Sequence, residues 1–396
     1  LWRGPTSLVA SNEPRQNIAF TPDSRWLVVT RFSATENSSH LRLVGADGAA
    51  QDLGYVHAGS SRVSLFMGLK SEAFVSAGTT DDGGCEIVLW SVAEKSPLAQ
   101  TRLAASQVRW DVVVNSDRRR AVLLISEDGR FSTDALGFDG TFERIGTLDF
   151  DLRQDETGRW STGASLDPRA GEWLGVFHEN RAYLVDIGSD GLGPPRFLGR
   201  QKDWVTWSVC DPFGRYFATA DKDGEIHLWS LDGASPPKVL KGPRGHITAG
   251  FSADGSLIGV AVRQEEKVSV SVWDIFSSPP KRIRRADLGF STGLKIDPFR
   301  GQAAQMNPDG SVFYWALAAP AHAEPKALYR GEVLRLNAVA FTSKGDWLAT
   351  ADSSGLALWP LAGRYPIVFK RHGREVSNLA FAPGGEWFAT SSADGT

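Results

Sequence analysis

The side chains that most often carry catalysis or bind metals are thinly spread over this sequence. No two of the seven histidines have the spacing of a zinc-ligand pair; they are His40, His57, His178, His227, His246, His322 and His372. The acidic stretches 81–84 (DDGG) and 221–224 (DKDG) lack the ligand pattern of a calcium loop and are typical of hairpin turns. No GxSxG elbow, phosphate loop or kinase motif occurs. The sequence therefore predicts no catalytic residues, no metal site and no cofactor.

One group near the end of the chain does have the composition of a catalytic triad. His372, Ser391 and Asp394 supply a possible base, hydroxyl and acid. The same three residue types also form buried polar chains that stabilise a fold when every member is hydrogen-bonded. We favour the structural role for this group, because it recurs with a repeat that runs through the sequence.

Two basic runs could bind an acidic partner. They are 117–120 (DRRR), in a predicted turn between first and second strands, and 281–285 (KRIRR), at the start of a predicted outer strand. Solvated charges beside loops are the simpler interpretation, and an acidic-partner site is the alternative. Turns predicted on the opposite face are acidic, and they contain Asp81, Asp82, Glu127, Asp128, Glu179, Glu265, Glu266 and Asp352.

The composition is that of a folded, water-soluble chain. Of its 396 residues, 42% are hydrophobic and 22% are charged, and the net charge is −3. That charge gives no overall attraction to nucleic acid or an anionic membrane, and no run of 18 apolar residues is present. Cys85 and Cys210 have no CxxC partner, which favours a reducing compartment. Because the chain starts at Leu1 rather than Met, we expect a fragment of a longer protein.

A repeat with a period in the low-to-mid forties organises these residues. The segment 211–233 (DPFGRYFATADKDGEIHLWSLDG) is matched closely by 342–363, over two thirds of its length by 382–396, and more loosely by six other segments. One position closes each copy at steps of 42 to 49 residues: Trp2, Val44, Trp90, Leu136, Val185, Trp229, Trp273, Trp315 and Trp359. A sustained period of this length is typical of propellers and solenoids.

Each copy predicts four short strands. In the copy at 201–244 the strands are WVTWSV, RYFATA, EIHLWSL and PKVLK, separated by the turns DPFG and DKDG and a longer loop. One four-stranded sheet cannot bury both of its faces alone, whereas sheets packed around an axis bury each other's faces. The sequence therefore predicts an all-β fold, a β-propeller of four-stranded antiparallel blades.

The copies resemble the WD-repeat (WD40) propellers. The resemblance extends over the whole chain and is clearest in 201–229 (QKDWVTWSVCDPFGRYFATADKDGEIHLW). The segment 371–396 supplies the family's histidine as His372, and the literal Trp-Asp pair occurs once, at Trp273–Asp274. Copies between residues 60 and 190 are degenerate. The residue pattern of these copies is similar to that of bacterial WD repeats, which are often attached to a serine/threonine kinase or a signal-transduction ATPase module.

The resemblance implies roles for particular residues. His372, Ser391, Asp394 and Trp2 would form the family's buried His–Ser/Thr–Asp–Trp network, with Gln201, Thr219, Asp223 and Trp229 as the equivalent set in another blade. The narrow face of the propeller would be the docking site, at positions just before each first strand and within each second-to-third turn. In the best copies these partner-binding positions are Trp204, Lys222, Arg335, Ser353 and Glu375.

We expect about eight complete blades and two half blades. The predicted repeats are 17–59, 60–104, 105–150, 157–200, 201–244, 245–288, 289–331 and 332–370, with half blades at 1–10 and 371–396. The chain ends on SSADGT, where other copies run on to LW, and it begins with Leu1 and Trp2. The two ends would therefore share a ninth blade. In the alternative, the chain spans parts of two tandem propellers.

The functional expectation is a non-catalytic scaffold or sensor domain of a signalling protein. It would act in the cytoplasm as a monomeric propeller within a larger polypeptide, and it would bind proteins or peptides rather than nucleic acid or membrane. Two alternatives remain: a propeller enzyme, either a hydrolase or an oxidoreductase, with a channel site, or the regulatory part of a parent kinase or ATPase. The predicted inner strands are mostly apolar and lack the convergent carboxylates or histidines that the enzyme needs.

Overall fold

The chain is described here by a computed structural model. It describes residues 18–33, 37–45, 49–59, 63–68, 72–105, 107–115, 117–127, 130–148, 162–188, 191–232, 235–242, 244–251, 255–264, 267–288, 293–297, 302–306, 312–316, 326–329, 336–342, 346–352, 355–361, 367–370 and 372–394. All regular secondary structure within these ranges is β-strand. The strands form eight antiparallel sheets of four strands and one sheet of two, each in chain order.

The second and third of the first three sheets lie in the region where the sequence repeat is degenerate. Sheet 1 contains β1 (Ile18–Phe20), β2 (Trp26–Ser33), β3 (Ser38–Gly45) and β4 (Ala50–Ala58). Sheet 2 contains β5 (Val63–Met67), β6 (Ala73–Thr79), β7 (Cys85–Ser91) and β8 (Ser96–Leu103). Sheet 3 contains β9 (Gln107–Asn115), β10 (Arg120–Glu127), β11 (Arg130–Gly137) and β12 (Phe142–Leu148).

Sheets 4 to 6 include the best copy of the repeat. Sheet 4 contains β13 (Thr162–Leu166), β14 (Trp173–His178), β15 (Arg181–Asp186) and β16 (Arg196–Arg200). Sheet 5 contains β17 (Val205–Cys210), β18 (Tyr216–Asp221), β19 (Glu225–Ser230) and β20 (Lys238–Lys241). Sheet 6 contains β21 (His246–Phe251), β22 (Leu257–Gln264), β23 (Lys267–Asp274) and β24 (Lys281–Leu288).

The last three sheets end with the two-stranded one. Sheet 7 contains β25 (Gly293–Asp297), β26 (Gln302–Met306), β27 (Val312–Ala316) and β28 (Lys326–Tyr329). Sheet 8 contains β29 (Leu336–Phe341), β30 (Trp347–Asp352), β31 (Gly355–Pro360) and β32 (Ile367–Phe369). Sheet 9 contains β33 (Val376–Phe381) and β34 (Phe388–Ser392). Each predicted repeat thus contains one sheet, while the half blade at 1–10 lies outside the described residues.

Turn residues set the register between the second and third strands of sheet 5. In sheet 5, Asp221 Oδ1 accepts a hydrogen bond from the backbone N–H of Glu225 at 2.9 Å. Gly224 adopts a φ of 87°, in the left-handed region that favours glycine, and this closes the hairpin between β18 and β19. The register that follows pairs Ala220 with Ile226.

The hydrophobic core lies between consecutive sheets. One face of sheet 5 buries Phe217 and Trp229 against Ala182 of sheet 4. Its other face buries Leu228 against Val260 of sheet 6. Because both faces of a sheet are covered in this way, the strands read as nearly continuous apolar runs. The prediction of a β-propeller of four-stranded antiparallel blades is confirmed.

The two ends of the described chain meet. In most neighbouring pairs of sheets the first strands lie against each other, and β33 of sheet 9 contacts both β29 of sheet 8 and β1 of sheet 1. At this junction Phe20 packs edge-on against Trp387, with ring centroids 4.8 Å apart. The backbone N–H of Gly384 donates to Ser24 Oγ at 2.8 Å. Sheet 9 therefore packs between the eighth sheet and the first.

Candidate interaction surface

Each sheet has two edges at which its loops gather. We call the edge where first strands begin and second strands turn into third strands the top edge. The bottom edge carries the turns from first to second and from third to fourth strands. Loops on a rigid sheet scaffold are where propellers present variable side chains, so each edge is a candidate interaction surface.

At the top edge of sheet 5, the structure brings Trp204 and Lys222 together. The backbone N–H of Lys222 donates to the carbonyl of Trp204 at 3.1 Å. The Lys222 ammonium lies over the Trp204 ring, 5.2 Å from its centroid. Both side chains are half-buried. An ammonium over an indole face is a favourable cation–π contact, and it limits the rotamers of both residues.

Ion pairs surround this contact. Asp223 accepts from Lys202 Nζ at 3.3 Å and from Arg244 Nη2 at 3.0 Å. Lys202 and Arg244 are largely exposed, so each pair contributes little to stability. Because Arg244 lies just before the first strand of sheet 6, the pairs link the top edges of two neighbouring sheets.

The other predicted docking residues are only partly described. Glu375 is half-buried at the top edge of sheet 9, where its carbonyl accepts from the backbone N–H of Ala393 at 3.1 Å. In sheet 5 the hydrogen bond from Lys222 to the Trp204 carbonyl occupies the equivalent position. Glu375 is therefore the structural equivalent of Trp204. Arg335 and Ser353 lie outside the described residues.

A buried polar network ties the top edge of sheet 5 to its interior. The Thr219 hydroxyl donates to Gln201 Oε1, and Trp229 Nε1 donates to Thr219 Oγ1 at 2.8 Å. The amide of Gln201 donates in turn to the carbonyl of Glu225 at 3.1 Å. The structure therefore brings Gln201, Thr219 and Trp229 together, while Asp223 makes the ion pairs described above.

The corresponding network of sheet 9 uses Thr390 rather than Ser391. His372 Nε2 lies 2.8 Å from Thr390 Oγ1, and His372 Nδ1 lies 3.5 Å from an Asp394 carboxylate oxygen. The assignment of Ser391 is therefore wrong by one residue. Successive strand residues point to opposite faces, and the Ser391 hydroxyl lies on the other face, 3.4 Å from that of Ser377. Trp2 lies outside the described residues.

A third network, which joins sheet 1 to sheet 2, was not predicted. His57 Nε2 lies 2.9 Å from Ser76 Oγ, and Trp90 Nε1 donates to the same oxygen at 2.8 Å. His57 Nδ1 lies 3.1 Å from Glu86 Oε2. The hydrogen bond from His57 lowers the pKa of Glu86 below its usual value. The spacing from His57 to Ser76 is one residue longer than from His372 to Thr390, which could have revealed the set in this degenerate copy.

Burial also shifts the ionisation of two residues in sheet 5. Removal from water raises the pKa of Asp221 and lowers the pKa of His227. Neither ring nitrogen of His227 has a hydrogen-bond partner in the described part of the chain, and Glu225 Oε2 lies 3.6 Å from Nε2. Burial favours the neutral imidazole and so lowers the pKa of His227, whereas the nearby carboxylates would raise it.

The described residues offer no site for metal chemistry and no membrane-crossing helix. No group of three or more His, Cys, Asp or Glu residues among them could hold a metal ion. None of them forms a helix long and apolar enough to cross a bilayer. The described top edge presents charged and aromatic side chains on a rigid β-sheet scaffold. Such a surface is suited to binding.

Comparisons with known proteins agree with the fold. The family model described as "WD domain, G-beta repeat" matches residues 195–230 and 363–396. The chain is similar to the protein LST8 homologs of Drosophila melanogaster and Drosophila pseudoobscura pseudoobscura, with 24% identity to each. Each match involves 43% of this chain and 57% of the relative, so the chain spans little more than half the length of these relatives.

A solved structure matches much more of the chain. The crystal structure of the C-terminal WD40 domain of Sif2 superposes with a TM-score of 0.57 and 13% identity, covering 89% of this chain and 98% of that one. At that identity the likeness concerns the fold alone. Taken with the four-stranded sheets, it identifies the fold as a β-propeller, in which the segments 195–230 and 363–396 match the WD repeat.

Proposed function

We propose that the chain is a non-catalytic interaction scaffold that binds a protein or peptide at its top edge. The observation that carries the proposal is the contact between Trp204 and Lys222. An aromatic ring and a cation held in one arrangement lose little conformational entropy on binding, and large aromatic side chains are frequent binding anchors. Propellers with WD repeats are generally interaction scaffolds, which supports the same conclusion.

In this proposal the docking site extends around the top edge. Glu375 joins it through its equivalence to Trp204, and Arg335 and Ser353 join it through their positions in the repeat of sheet 8. A partner spanning these sheets would have to match a Trp–Lys contact at one point and a carboxylate at another. The combination would restrict the partners that fit.

The wider setting is also a proposal. We place the chain in the cytoplasm, as a monomeric interaction or sensor part of a larger signalling polypeptide such as one with a kinase or ATPase module. In support, Cys85 and Cys210 are both thiols, and burial raises the pKa of Cys210 well above its usual value. A buried neutral thiol of this kind is unreactive and suits a packing role.

The experiment compares the partners recovered by the full chain and by top-edge variants. The tagged chain, Lys222→Glu and Trp204→Ala are used as bait in extract of the source cells, with quantitative mass spectrometry of what is retained. We expect the same proteins to be lost from both variants and kept by Phe142→Ala, a matched change at an exposed ring on the outer strand of sheet 3. Unchanged recovery with both variants would reject the site.

A separate assay tests the absence of catalysis. The purified chain is screened with broad hydrolase and oxidoreductase substrate panels, with and without added divalent metals. We expect no turnover above that of the heat-denatured chain. Reproducible turnover that disappears on substitution of a top-edge or channel residue would support the propeller enzyme instead.

A further inference from the structure

A second exposed surface lies at the opposite edge of sheets 5 and 6. Phe213, in the turn between β17 and β18, is 49% exposed, and Phe276, in the loop between β23 and β24, is 51% exposed. The two rings come from neighbouring sheets and meet at one side chain. The guanidinium carbon of Arg215 lies 5.0 Å from the Phe213 centroid and 4.9 Å from the Phe276 centroid. We call these three residues the bottom patch.

Arg215 is held firmly at the centre of the bottom patch. Asp211, whose side chain is fully buried, accepts from Arg215 Nε at 2.9 Å and from Nη2 at 3.0 Å. Gly255 of sheet 6 lies so close that a Cβ atom there would clash with Arg215 Nη2 and Asp211 Oδ1. Because this bidentate pair fixes the guanidinium, the two rings rest on a rigid support.

The loop that carries Phe276 is ordered by its own hydrogen bonds. Asp274 Oδ1 accepts from the backbone N–H of Phe276 at 2.9 Å, and Asp274 Oδ2 accepts from Ser277 Oγ at 2.6 Å. Lys238 Nζ of sheet 5 donates to the carbonyl of Ile275 at 2.6 Å. These hydrogen bonds hold the loop so that the Phe276 ring stays exposed. Exposure is unfavourable for an isolated chain, because burial of the ring would remove apolar surface from water.

The charges around the bottom patch are mainly positive. Arg196 is exposed and donates to the carbonyl of Leu231, whose N–H bonds the carbonyl of Arg215. Lys281 and Arg282 are exposed at the start of β24, beside the Phe276 loop. The carboxylates of Asp211 and Asp274 are already engaged, as described above. The described exposed acids at this edge of sheets 4 and 5 include Asp186 and Asp232, and Asp232 accepts from Ser230 at 2.7 Å.

We propose that the bottom patch binds an acidic peptide segment through a bulky apolar side chain of that peptide. The two fixed rings supply an apolar anchor point, and the surrounding cations complement acidic flanking residues. The peptide side chain that contacts the rings is apolar rather than anionic, because Asp211 already neutralises the charge of Arg215. Since first-to-second turns and second-to-third turns lie at opposite ends of the strands, this surface is separate from the one that contains Trp204.

The binding test uses a phage-displayed library of random twelve-residue peptides selected on the full chain. Selection is repeated with the double variant Phe213→Ala/Phe276→Ala as competitor to identify peptides that need the bottom patch. We expect these peptides to combine Asp or Glu with Phe, Leu, Ile or Trp. A selection that yields no such peptides, or only peptides that bind the double variant equally well, would overturn the proposal.

Synthetic copies of the selected peptides then test each part of the surface by fluorescence anisotropy. We expect Phe213→Ala/Phe276→Ala to weaken binding at least about tenfold, and Lys281→Glu/Arg282→Glu to weaken it about fivefold or more. Phe142→Ala and Trp204→Ala should leave affinity unchanged, which separates this result from that of the top-edge proposal. Melting curves must show that every variant is folded.

Nucleic acid is the competing ligand for a surface of aromatic rings and cations. A single-stranded oligonucleotide of mixed sequence is therefore measured in the same assay. We expect it to bind at least about tenfold more weakly than the selected peptides at 0.15 M salt. Tighter binding of the oligonucleotide than of the peptides, lost in Phe213→Ala/Phe276→Ala, would replace the peptide proposal with a nucleic-acid one.

Discussion

At the scale of residues, the polar networks explain why tryptophan recurs at one position of the repeat. Trp229 and Trp90 each donate an indole N–H to a hydroxyl on the second strand of their own sheet, Thr219 and Ser76 respectively. Trp359 does the same with Thr350 at 3.1 Å. A buried indole N–H needs an acceptor, so a Trp on the third strand occurs together with a Ser or Thr on the second strand.

Removing one hydroxyl should destabilise the chain measurably. Thr219→Val keeps the shape of the side chain but leaves the Trp229 N–H and the Gln201 carbonyl without their shared partner. We expect a loss of about 1–3 kcal/mol in the free energy of unfolding, the usual cost of an unsatisfied buried polar group. Thr219→Ser keeps the hydroxyl and serves as the control. Equal midpoints for Thr219→Val and the wild type in urea unfolding would show that the network does not stabilise the fold.

The buried His227 should make stability depend on pH. Burial lowers its pKa below the ordinary 6.5, so the folded chain resists the proton that the unfolded chain takes up. This contribution to stability is fully present above about pH 6.5 and is lost as the pH falls below it. Glu225 and Asp221, which face the ring, act in the opposite direction and limit the shift.

Melting temperatures of the wild type and His227→Gln, measured between pH 5.5 and 8, check this. The wild type should lose stability on acidification, and His227→Gln should lose less over the same range. His40→Gln, at a histidine on the third strand of sheet 1, is the control and should follow the wild type. Parallel curves for the wild type and His227→Gln would contradict the assignment.

At the scale of elements, the sequence predicts strands well because turn chemistry acts locally and separates short, mainly apolar runs. In sheet 5 the predicted strands RYFATA and EIHLWSL correspond to Tyr216–Asp221 and Glu225–Ser230. Face assignment is less secure, since a one-residue error moves a side chain across the sheet. Thr390 and Ser391 are adjacent hydroxyl residues, and the sequence alone did not distinguish which one faces His372.

Contacts between elements far apart in sequence were beyond the reach of local patterns. Phe213 and Phe276 lie in loops of different repeats, and only the packing of sheet 6 on sheet 5 places both beside Arg215. The network of His57 was missed for a different reason. The repeat that contains Ser76 and Trp90 has a longer second-to-third turn, so Trp90 follows Ser76 by more residues than Trp229 follows Thr219.

The junction between sheet 9 and sheet 1 gives a prediction at this scale. Trp387→Ala removes the ring that packs against Phe20 at 4.8 Å. Because Trp387 is half-buried, we expect a loss of about 2 kcal/mol, below the ~3–5 kcal/mol typical of fully buried Trp. The exposed-ring variant Phe142→Ala should lose less than about 0.5 kcal/mol. If urea unfolding found equal losses for the two variants, the junction would not contribute to stability.

At the scale of the whole molecule, stability is shared between neighbouring sheets. Each described cluster of buried side chains draws on two consecutive sheets, including the one formed by Phe20, Leu27 and Ala382 where the last sheet meets the first. In such an arrangement a weak sheet affects its neighbours first. Sheet 9 is the sheet most easily destabilised, because β34 pairs only with β33 among the described strands.

We propose that residues at the start of the chain complete sheet 9 as a ninth blade. Residues 395–396 and 1–17 lie outside the described residues, and the repeat calls for an LW pair after the turn at 393–396. Leu1 and Trp2 would supply it. Burial of Trp2 against β34 would contribute roughly 2–3 kcal/mol and would cover an edge that otherwise invites aggregation.

A chain lacking residues 1–10 tests this arrangement of the ends. If the ends share a blade, the deletion exposes the edge of β34, and the chain should melt well below the full-length protein and aggregate. Trp2→Ala should fall between the two, with Trp2→Phe closer to the full chain because it keeps most of the apolar area. If the two ends do not share a blade, the deletion removes a segment that supports nothing. A decrease of less than about 2 °C would reject the shared blade, since even 1 kcal/mol shifts the melting temperature of a 150–250-residue domain by roughly 2–4 °C.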